Sequence, residues 1–221
     1  MDQNTLKVER QYNKVTPDLS KPHEKYRNII FDLGAVLIYF DAHKMIADVF
    51  KDEQQVPYEL FGAIKTSIWY DMDRGVKTPQ EVTDLLADQY DKNKLSKFIA
   101  ALPAMLHPLD EGIAILDAVK ARGFKTYILS NLSIDCYNTV SQYDFLKRVD
   151  GAVYSSMVKL TKPDAEIYQH LLTKYSLQPH ECLFIDDLSQ NIDGAKTVGI
   201  DGIVLANHAQ VKADLQKLNI L

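Results

Sequence analysis

Short apolar runs alternate with amphipathic stretches over the second half of the chain, and one further apolar run lies near its start. Apolar runs of about four to eight residues are typical of buried strands, whereas apolar residues recurring every three or four positions are typical of helices. The predicted strands span 28–32, 124–130, 151–156, 182–186 and 202–206, and the predicted helices span 109–121, 134–143, 163–175, 190–198 and 209–218. This alternation predicts an α/β fold with a doubly wound parallel sheet.

The segment after the first strand has a different pattern: its apolar residues recur at helical spacing, and it contains no convincing strand. Thr78-Pro79-Gln80-Glu81 places Thr at an N-cap, Pro at the first helical position and Glu at the third, which predicts a helix start. We therefore expect an α/β core, residues 26–40 and 108–221, interrupted by a small all-helical module at 41–107. Residues 1–25 are polar, lack sustained periodicity and are predicted to form a tail.

Composition narrows the class of protein. The chain has 221 residues, 46% of them hydrophobic, and a net charge of −5. Without a basic block it is not expected to bind nucleic acid, because phosphate neutralisation needs clustered Lys and Arg. No apolar stretch approaches a membrane span, and no secretory signal is visible, so a cytoplasmic location is expected. Cys136 and Cys182 lie in apolar surroundings and are predicted to be reduced core thiols.

Polar side chains follow the predicted strands. Asp32 ends the first strand, Ser130-Asn131 ends the second, and Asp186-Asp187 ends the strand at 182–186, while Lys162 precedes a predicted helix. Because the carboxyl ends of parallel strands meet at one edge of a sheet, these groups are expected to converge. Each has a purely structural alternative as a turn, cap or solvated residue, but four such coincidences at one edge are improbable.

This combination of groups suits phosphoryl transfer. A carboxylate such as Asp32 can act as a nucleophile and form an aspartyl-phosphate. Two or three carboxylates with a backbone oxygen form a hard site suited to Mg²⁺. An ammonium and a hydroxyl can stabilise the non-bridging phosphoryl oxygens, which is where such catalysis gains most of its rate.

The motifs that carry these groups resemble, in order, those of the haloacid dehalogenase superfamily. They are FDLGAVL at 31–37, LSN at 129–131, KPDAEIY at 162–168 and FIDDLSQNIDGA at 184–195. The resemblance covers the chain from about Tyr26 onward and implies a Rossmann-like core. The helical insert at 41–107 is similar to the first-type cap of the superfamily, which closes over small substrates.

The resemblance also implies residue roles. Asp32 would attack phosphorus and bind Mg²⁺, while Ser130 and the backbone amide of Asn131 would hold the phosphoryl oxygens. Lys162 would offset the charge of Asp32 and of the phosphate. Of the acidic pair, Asp187 is expected to bind the metal directly, with Asp186 acting directly or through water. Arg74, in the predicted helical module, is a further candidate for substrate binding.

One position departs from the pattern of the superfamily. Phosphatases of this kind usually carry a second Asp two residues after the nucleophile as the general acid and base, and here that residue is Gly34. The backbone carbonyl of Gly34 can still act as a ligand of the metal. Asp41, His43 and Asp73 are candidate replacements, with Asp41 slightly favoured although it also fits an N-cap. Alternatively the substrate has a good leaving group, or catalysis is lost and binding remains.

The leading hypothesis is a Mg²⁺-dependent phosphatase of a small phosphorylated metabolite. The Phe-Asp-Leu-Gly variant around Asp32 resembles a branch with α-D-glucose-1-phosphate phosphatases, so a sugar phosphate is one candidate substrate. The alternatives are a metal-independent 2-haloacid dehalogenase and a non-catalytic module that binds a phosphometabolite. The sequence gives no sign of the oligomeric state.

Overall fold

The computed structural model describes residues 25–221, so the predicted N-terminal tail lies almost entirely outside the described residues. Its centre is a five-stranded sheet in the order β3-β2-β1-β4-β5, and every pair of neighbouring strands is parallel. The strands are β1 (Asn28–Phe31), β2 (Lys125–Ser130), β3 (Gly151–Tyr154), β4 (Cys182–Asp186) and β5 (Asp201–Val204). The predicted doubly wound α/β fold is confirmed.

Helices cover both faces of the sheet, as a parallel sheet requires. Four α-helices, α1 to α4, lie between β1 and residue 107. The α-helices that follow them are α5 (Asp110–Ala121), α6 (Ile134–Val140), α7 (Ser155–Val158), α8 (Ala165–Tyr175), α9 (Ser189–Thr197) and α10 (His208–Lys217). The prediction of helices between strands is confirmed, and the observed helix ends differ from the predicted ends by at most three residues. No helix within residues 25–221 is long and apolar enough to cross a membrane.

Among the strands, the largest boundary errors concern β3 and β5. The strand predicted over 151–156 ends at Tyr154, because the chain turns into α7 at Ser155, whose carbonyl accepts a hydrogen bond from the Lys159 amide at 2.8 Å. The strand predicted over 202–206 lies earlier, at Asp201–Val204, because the chain leaves the sheet after it to reach α10.

The segment between β1 and α5 contains helices only. These are α1 (Ala42–Val49), a 3₁₀ helix (Tyr58–Lys65), α2 (Ser67–Asp73), α3 (Pro79–Leu85) and α4 (Lys92–Met105). The helix start predicted at Thr78 is confirmed as a capping box with Glu81. The chain enters this segment after Tyr39 and leaves it after His107. These two connections are joined by a hydrogen bond from the Tyr39 amide to the His107 carbonyl at 2.7 Å. Its standing as a separate cap domain stays a prediction.

The sheet buries apolar residues on both faces. Ile29 and Phe31 of β1 belong to one cluster, which extends through the helical segment from Met45 to Leu106. Ile30 points to the other face and packs in a second cluster with Tyr168 of α8. All four residues of β1 are buried, as expected for a central parallel strand covered on both faces. The predicted core thiols, Cys136 and Cys182, are both free and buried.

Candidate active site

The carboxyl ends of the three central strands bring the predicted polar groups together. Phe31 of β1 lies in register with Ile128 of β2 and Ile185 of β4. Asp32, one residue beyond β1, extends the ladder because its amide donates to the Ile185 carbonyl at 2.9 Å. Ser130 ends β2, so its hydroxyl is delivered to the same edge of the sheet as the Asp32 carboxylate.

Lys162 lies between two carboxylates. Its Nζ is 2.8 Å from Asp32 Oδ1 and 2.6 Å from Asp186 Oδ2, and only 2% of the residue is exposed. Burial by itself would lower the pKa of Lys162, but attraction to Asp186 and Asp32 outweighs it and the pKa is raised. The ammonium is therefore charged and offsets part of the negative charge of the site.

Asn131 fixes the main chain that carries Lys162. The Asn131 side-chain Nδ2 donates to the Lys162 carbonyl at 2.9 Å, and the Lys162 amide donates to Asn131 Oδ1 at 2.8 Å. The two hydrogen bonds join the end of β2 to the loop before α8. The resemblance implies a role for the backbone amide of Asn131, and residue spacing offers no signal for this second contribution of its side chain.

The two members of the acidic pair differ in their surroundings. Asp186 is fully buried, and both of its oxygens accept hydrogen bonds from Asn191 Nδ2 at 3.0 Å. Asp186 Oδ1 also accepts from the Leu188 amide at 2.8 Å. Asp187 is partly exposed and faces the cavity beside the site. Asn191 was missed in the sequence, where its position five residues after Asp186 on a helix was the only available signal.

The donor set fits a divalent cation. Asp32, Asp186 and Asp187 each offer an oxygen, and the three oxygens lie within 4.8 Å of one another. Among the described residues no group donates a hydrogen bond to the buried Asp32 Oδ1, although Lys162 is close enough to form an ion pair with it. Three carboxylates face one ammonium, and hard carboxylate oxygens are the ligands that Mg²⁺ prefers.

Burial and mutual repulsion are visible in the acidity of this cluster. Burial raises the pKa of Asp32 to about 6, with Lys162 opposing the rise and Asp186 adding to it. The pKa of Asp187 is raised to about 7, first by burial and then by the charges of Asp32 and Asp186. In both residues the main cause is burial, which disfavours the charged form of a carboxyl group.

The turn after Asp32 is compact. The amides of Leu37 and Ile38 both donate to the Leu33 carbonyl at 2.8 Å, and Ala35 adopts a left-handed conformation with φ 58°. Gly34 lines the cavity, and a Cβ added to it would lie 3.7 Å from Phe40 Cβ, which is ordinary contact. The lack of a side chain at Gly34 is therefore not imposed by crowding.

The three candidate replacements for the missing acid and base lie in different places. Asp41 caps α1, with its Oδ1 accepting from the Lys44 amide at 3.0 Å, so the N-cap interpretation is confirmed. The exposed His43 ring contacts Phe61, with the ring centroids 4.0 Å apart. Asp73, at the end of α2, lines the same cavity as Asp32. Burial raises its pKa to about 7.

A cavity of about 680 Å³ opens beside the strand ends. Polar groups of the strand ends line it together with apolar side chains from the helical segment. Arg74, predicted to bind substrate, is not among its lining residues, and its guanidinium pairs instead with the Asp71 carboxylate. Substrate binding by Arg74 stays a prediction.

Sequence and structure comparisons agree with this arrangement. A sesquiterpene phosphatase from Aspergillus oryzae is 23% identical over 87% of this chain and 96% of its own length. A predicted HAD-like family hydrolase from Porphyromonas gingivalis has a TM-score of 0.67, with 22% identity over 87% of this chain and 98% of that one. A HAD family enzyme from Bacteroides thetaiotaomicron, solved with magnesium and inorganic phosphate, has a TM-score of 0.61, with 23% identity over 81% and 93% of the two chains.

The family assignment rests on a match that spans most of the described chain. The model of the haloacid dehalogenase-like hydrolase family matches residues 26–199, which contain all four motifs and every strand except β5. The five-stranded parallel sheet and the acidic strand ends agree with that match. The chain belongs to the haloacid dehalogenase-like hydrolase family and is a hydrolase.

Proposed function

We propose that the protein is a Mg²⁺-dependent phosphatase that hydrolyses a small phosphate monoester through an aspartyl-phosphate on Asp32. The observation that supports it most is the position of Lys162 Nζ, 2.8 Å from Asp32 Oδ1 and within an acidic cluster that fits a divalent cation. Such a site can neutralise a dianionic phosphate and keep a carboxylate ionised for attack.

Each residue would act on a defined atom. An oxygen of Asp32 attacks phosphorus, and the bond from phosphorus to the ester oxygen breaks. Ser130 Oγ and the Asn131 amide donate hydrogen bonds to phosphoryl oxygens, while the ammonium of Lys162 offsets the charge that gathers on them. Water then attacks phosphorus, releasing inorganic phosphate and restoring the Asp32 carboxylate.

The proposed Mg²⁺ ligands are Asp32, Asp187 and the carbonyl of Gly34, with Asp186 acting directly or through water. When bound, Mg²⁺ would neutralise phosphoryl charge and align the phosphate with the nucleophile. Asp187 is favoured over Asp186 as a direct ligand, because the oxygens of Asp186 already accept hydrogen bonds from Asn191, Leu188 and Lys162.

Two relatives support a phosphatase over other hydrolases. The relative from Aspergillus oryzae that covers most of this chain is named a sesquiterpene phosphatase. The similar structure from Bacteroides thetaiotaomicron holds magnesium and inorganic phosphate. Neither identifies the substrate of this chain, for which the motif around Asp32 suggested a sugar phosphate such as glucose 1-phosphate.

The decisive experiment is hydrolysis of p-nitrophenyl phosphate with Mg²⁺. We expect turnover that EDTA stops and that Asp32→Asn abolishes. Asp48→Asn, at an exposed position that does not line the cavity, is the matched control and should retain full activity. Turnover that survives Asp32→Asn would contradict the proposed mechanism.

The two alternatives predict different results. A haloacid dehalogenase would release halide from 2-chloropropionate in the presence of EDTA, although a metal-free site has no reason to place Asp186 and Asp187 beside a carboxylate nucleophile. A binding module would show no turnover over a broad panel of phosphate esters and yet be stabilised against heat by one of them.

A further inference from the structure

The cavity has two chemically distinct ends. The strand ends contribute Asp32, Ser130, Lys162 and Asp187, which form the proposed phosphate and metal site. Away from that site the wall is largely apolar. Of the ten lining residues between 41 and 107, all of them described, seven are apolar and three are polar. The substrate therefore meets charge at one end and hydrocarbon at the other.

The apolar end is formed by large side chains that are not fully covered by the protein. Phe40, Phe61, Ile64 and Leu132 are each partly exposed, and all four line the cavity. Trp69, at 5% exposure, forms a deeper part of the same wall. Partly exposed apolar residues that converge on one cavity lose contact with water when an apolar ligand enters.

The polar residues of the helical segment offer few partners to a sugar. They are Lys65, Tyr70 and Asp73. Lys65 is exposed, and its ammonium lies 4.1 Å from the centroid of the Phe61 ring. The Tyr70 hydroxyl accepts a hydrogen bond from Gln190 at 3.4 Å. Sugar hydroxyls that lie against the apolar side chains of this segment would be buried without a partner, which is unfavourable.

We propose that the substrate is a phosphate monoester whose alcohol carries a large apolar body, and that this body fills the apolar end of the cavity. This inference rests on the proposed phosphatase function and names its substrate class. The volume of about 680 Å³ lies within the range of small-molecule sites and leaves room for a body of ten or so carbons.

The test is a series of straight-chain alkyl phosphates from ethyl to decyl, each below its micellar concentration, with glucose 1-phosphate as the polar comparison. The expected result is a kcat/KM that rises about fourfold per added methylene until the cavity is filled. Decyl phosphate should exceed glucose 1-phosphate by at least about 100-fold. A flat or falling series, or preference for glucose 1-phosphate, would overturn the inference.

A variant pair locates the effect. Ile64→Asp places a charge in the apolar wall and should flatten the dependence of kcat/KM on chain length. Leu85→Asp is the matched control, because Leu85 is 51% exposed and does not line the cavity, and it should preserve the slope. Equal slopes in both variants would contradict the assignment of this wall.

Binding separates this inference from the phosphatase proposal. Decylphosphonate, which cannot be hydrolysed, should bind at least about 100-fold more tightly than methylphosphonate in the presence of Mg²⁺. If no ester is hydrolysed and decylphosphonate still binds, the phosphatase proposal fails and the apolar site stands. If esters are hydrolysed and the two phosphonates bind equally, the phosphatase proposal stands and the apolar site fails.

A second inference concerns Asp73 and rests on a different observation, its attachment to the phosphate loop. The Ser155 hydroxyl donates to the Asp73 carbonyl at 2.6 Å and accepts from the Leu132 amide at 2.8 Å, one residue beyond Asn131. One hydroxyl thus joins the end of α2 to the loop that is proposed to hold the phosphate. Ser155 had no recognisable signal in the sequence.

A second contact holds the same turn. Lys159 Nζ donates to the Gly75 carbonyl at 2.6 Å, so the chain is tied to the core at Asp73 and again two residues beyond it. The Asp73 side chain lines the cavity together with Asp32 and Lys162. A carboxyl group held in this way can reach a ligand whose phosphorus lies beside Asp32.

We infer that Asp73 is the general acid and base that replaces the residue missing at Gly34. As Asp32 attacks phosphorus, the bond to the ester oxygen breaks and that oxygen takes the proton of the Asp73 carboxyl group. The Asp73 carboxylate then takes a proton from water, and the resulting hydroxyl oxygen bonds to phosphorus. The bond between phosphorus and the Asp32 oxygen breaks, and its electron pair returns to the Asp32 carboxylate.

The acidity of Asp73 suits both steps. Burial raises its pKa to about 7 and the Lys162 ammonium opposes the rise. Cys136 of α6 is a further titratable group close enough for its charge to interact with that of Asp73. A group that titrates near neutral pH can both donate and accept a proton in one cycle.

Leaving-group dependence tests this role. Asp73→Asn should lower kcat/KM for an alkyl phosphate by about 10²–10³-fold, because an alkoxide needs a proton to leave. The loss for p-nitrophenyl phosphate should be less than about tenfold, since p-nitrophenolate leaves without one. A burst of p-nitrophenolate should appear as well, because the phosphoenzyme then waits for a base.

Asp41→Asn is the matched control, because Asn also caps helices and Asp41 is another of the candidate replacements. It should leave both activities unchanged. Equal losses on the two esters without a burst would make Asp73 a structural residue, and no loss would exclude it. If neither wild type nor variant hydrolyses any ester, the phosphatase proposal itself fails, and retained hydrolysis with equal losses defeats only the role of Asp73.

Discussion

Asn131 and Lys162 bind each other through two hydrogen bonds, at 2.9 Å from Asn131 Nδ2 and 2.8 Å from the Lys162 amide. The pair joins two motifs that lie 31 positions apart in the chain. It sets where the Lys162 ammonium lies relative to Asp32 and Asp186, so one amide side chain positions the positive charge of the site.

Replacement of Asn131 should therefore act through Lys162. Asn131→Ala removes both hydrogen bonds, and we expect kcat for an aryl phosphate to fall about 10–100-fold with a smaller change in KM. The free energy of unfolding should fall by about 1–2 kcal/mol, as for loss of two partly buried hydrogen bonds. Steady-state kinetics and urea unfolding measure the two effects, and unchanged kinetics would contradict this role.

Removal of Lys162 should be costly to the fold as well as to activity. Lys162→Met leaves Asp32 and Asp186 buried without their shared cation, and breaking such a buried pair from one side costs about 3–5 kcal/mol. Urea unfolding without Mg²⁺ measures this loss. Lys120→Met is the control, because its partner Asp150 keeps a second lysine and stability should fall by less than about 1 kcal/mol.

Mg²⁺ should stabilise the folded protein through Asp187. At about 100 times the dissociation constant, binding adds about 2.7 kcal/mol, which raises the Tm of a chain of this size by about 5 °C. Asp187→Asn should abolish most of this shift. The matched control Asp193→Asn, an exposed residue outside the acidic cluster, should retain it. Equal Mg²⁺-dependent shifts in the two variants would contradict direct binding by Asp187.

A carboxyl group can be returned to position 34. Because a Cβ at Gly34 would meet Phe40 only at 3.7 Å, we expect Gly34→Asp to fold with less than about 1 kcal/mol of lost stability. In the Asp73→Asn background, Gly34→Asp should recover at least about tenfold in kcat/KM for an alkyl phosphate. Gly34→Asn is the control that adds the same bulk without a titratable group, and equal recovery by both would contradict an acid and base role.

Asp150 provides a pH-dependent contribution to stability away from the site. Burial opposes its ionisation, but Lys125, the Thr126 amide and Lys120 hold the pKa of Asp150 well below its usual range. A depressed pKa means that the stabilisation is present above about pH 4 and is lost as the pH falls further. Asp150→Asn should therefore cost about 1 kcal/mol at pH 7 and less at pH 2.

Urea unfolding of wild type and Asp150→Asn at the two pH values measures this contribution. Asp144→Asn is the control, because Asp144 and its partner Lys147 are exposed and their pair should contribute little at either pH. A difference between wild type and Asp150→Asn that is independent of pH would show that the carboxylate charge has no part in it.

The spacing of apolar residues along the chain was sufficient to predict the fold class and to place Asp32 at the end of a strand. The periods of the apolar residues distinguished strands from helices, and Asp32, Ser130 and Asp186 were each found at a strand end because β-rich runs stop there. These features are local, and local spacing records them directly. The predicted ends of β3 and β5 were wrong because the chain turns into α7 after Tyr154 and leaves the sheet after Val204, and the spacing of apolar residues does not encode where a chain leaves a sheet.

Which side chains come together at the site depends on how the helices and strands pack. Asp41 and Asp73 both stood as candidates in the sequence, and only the packing of α2 against the core put Asp73 in the cavity while Asp41 capped α1. The contacts made by Asn191 and Ser155 join residues from distant parts of the chain. Their identity depends on the direction in which each side chain points after folding, a property that spacing along one chain does not encode.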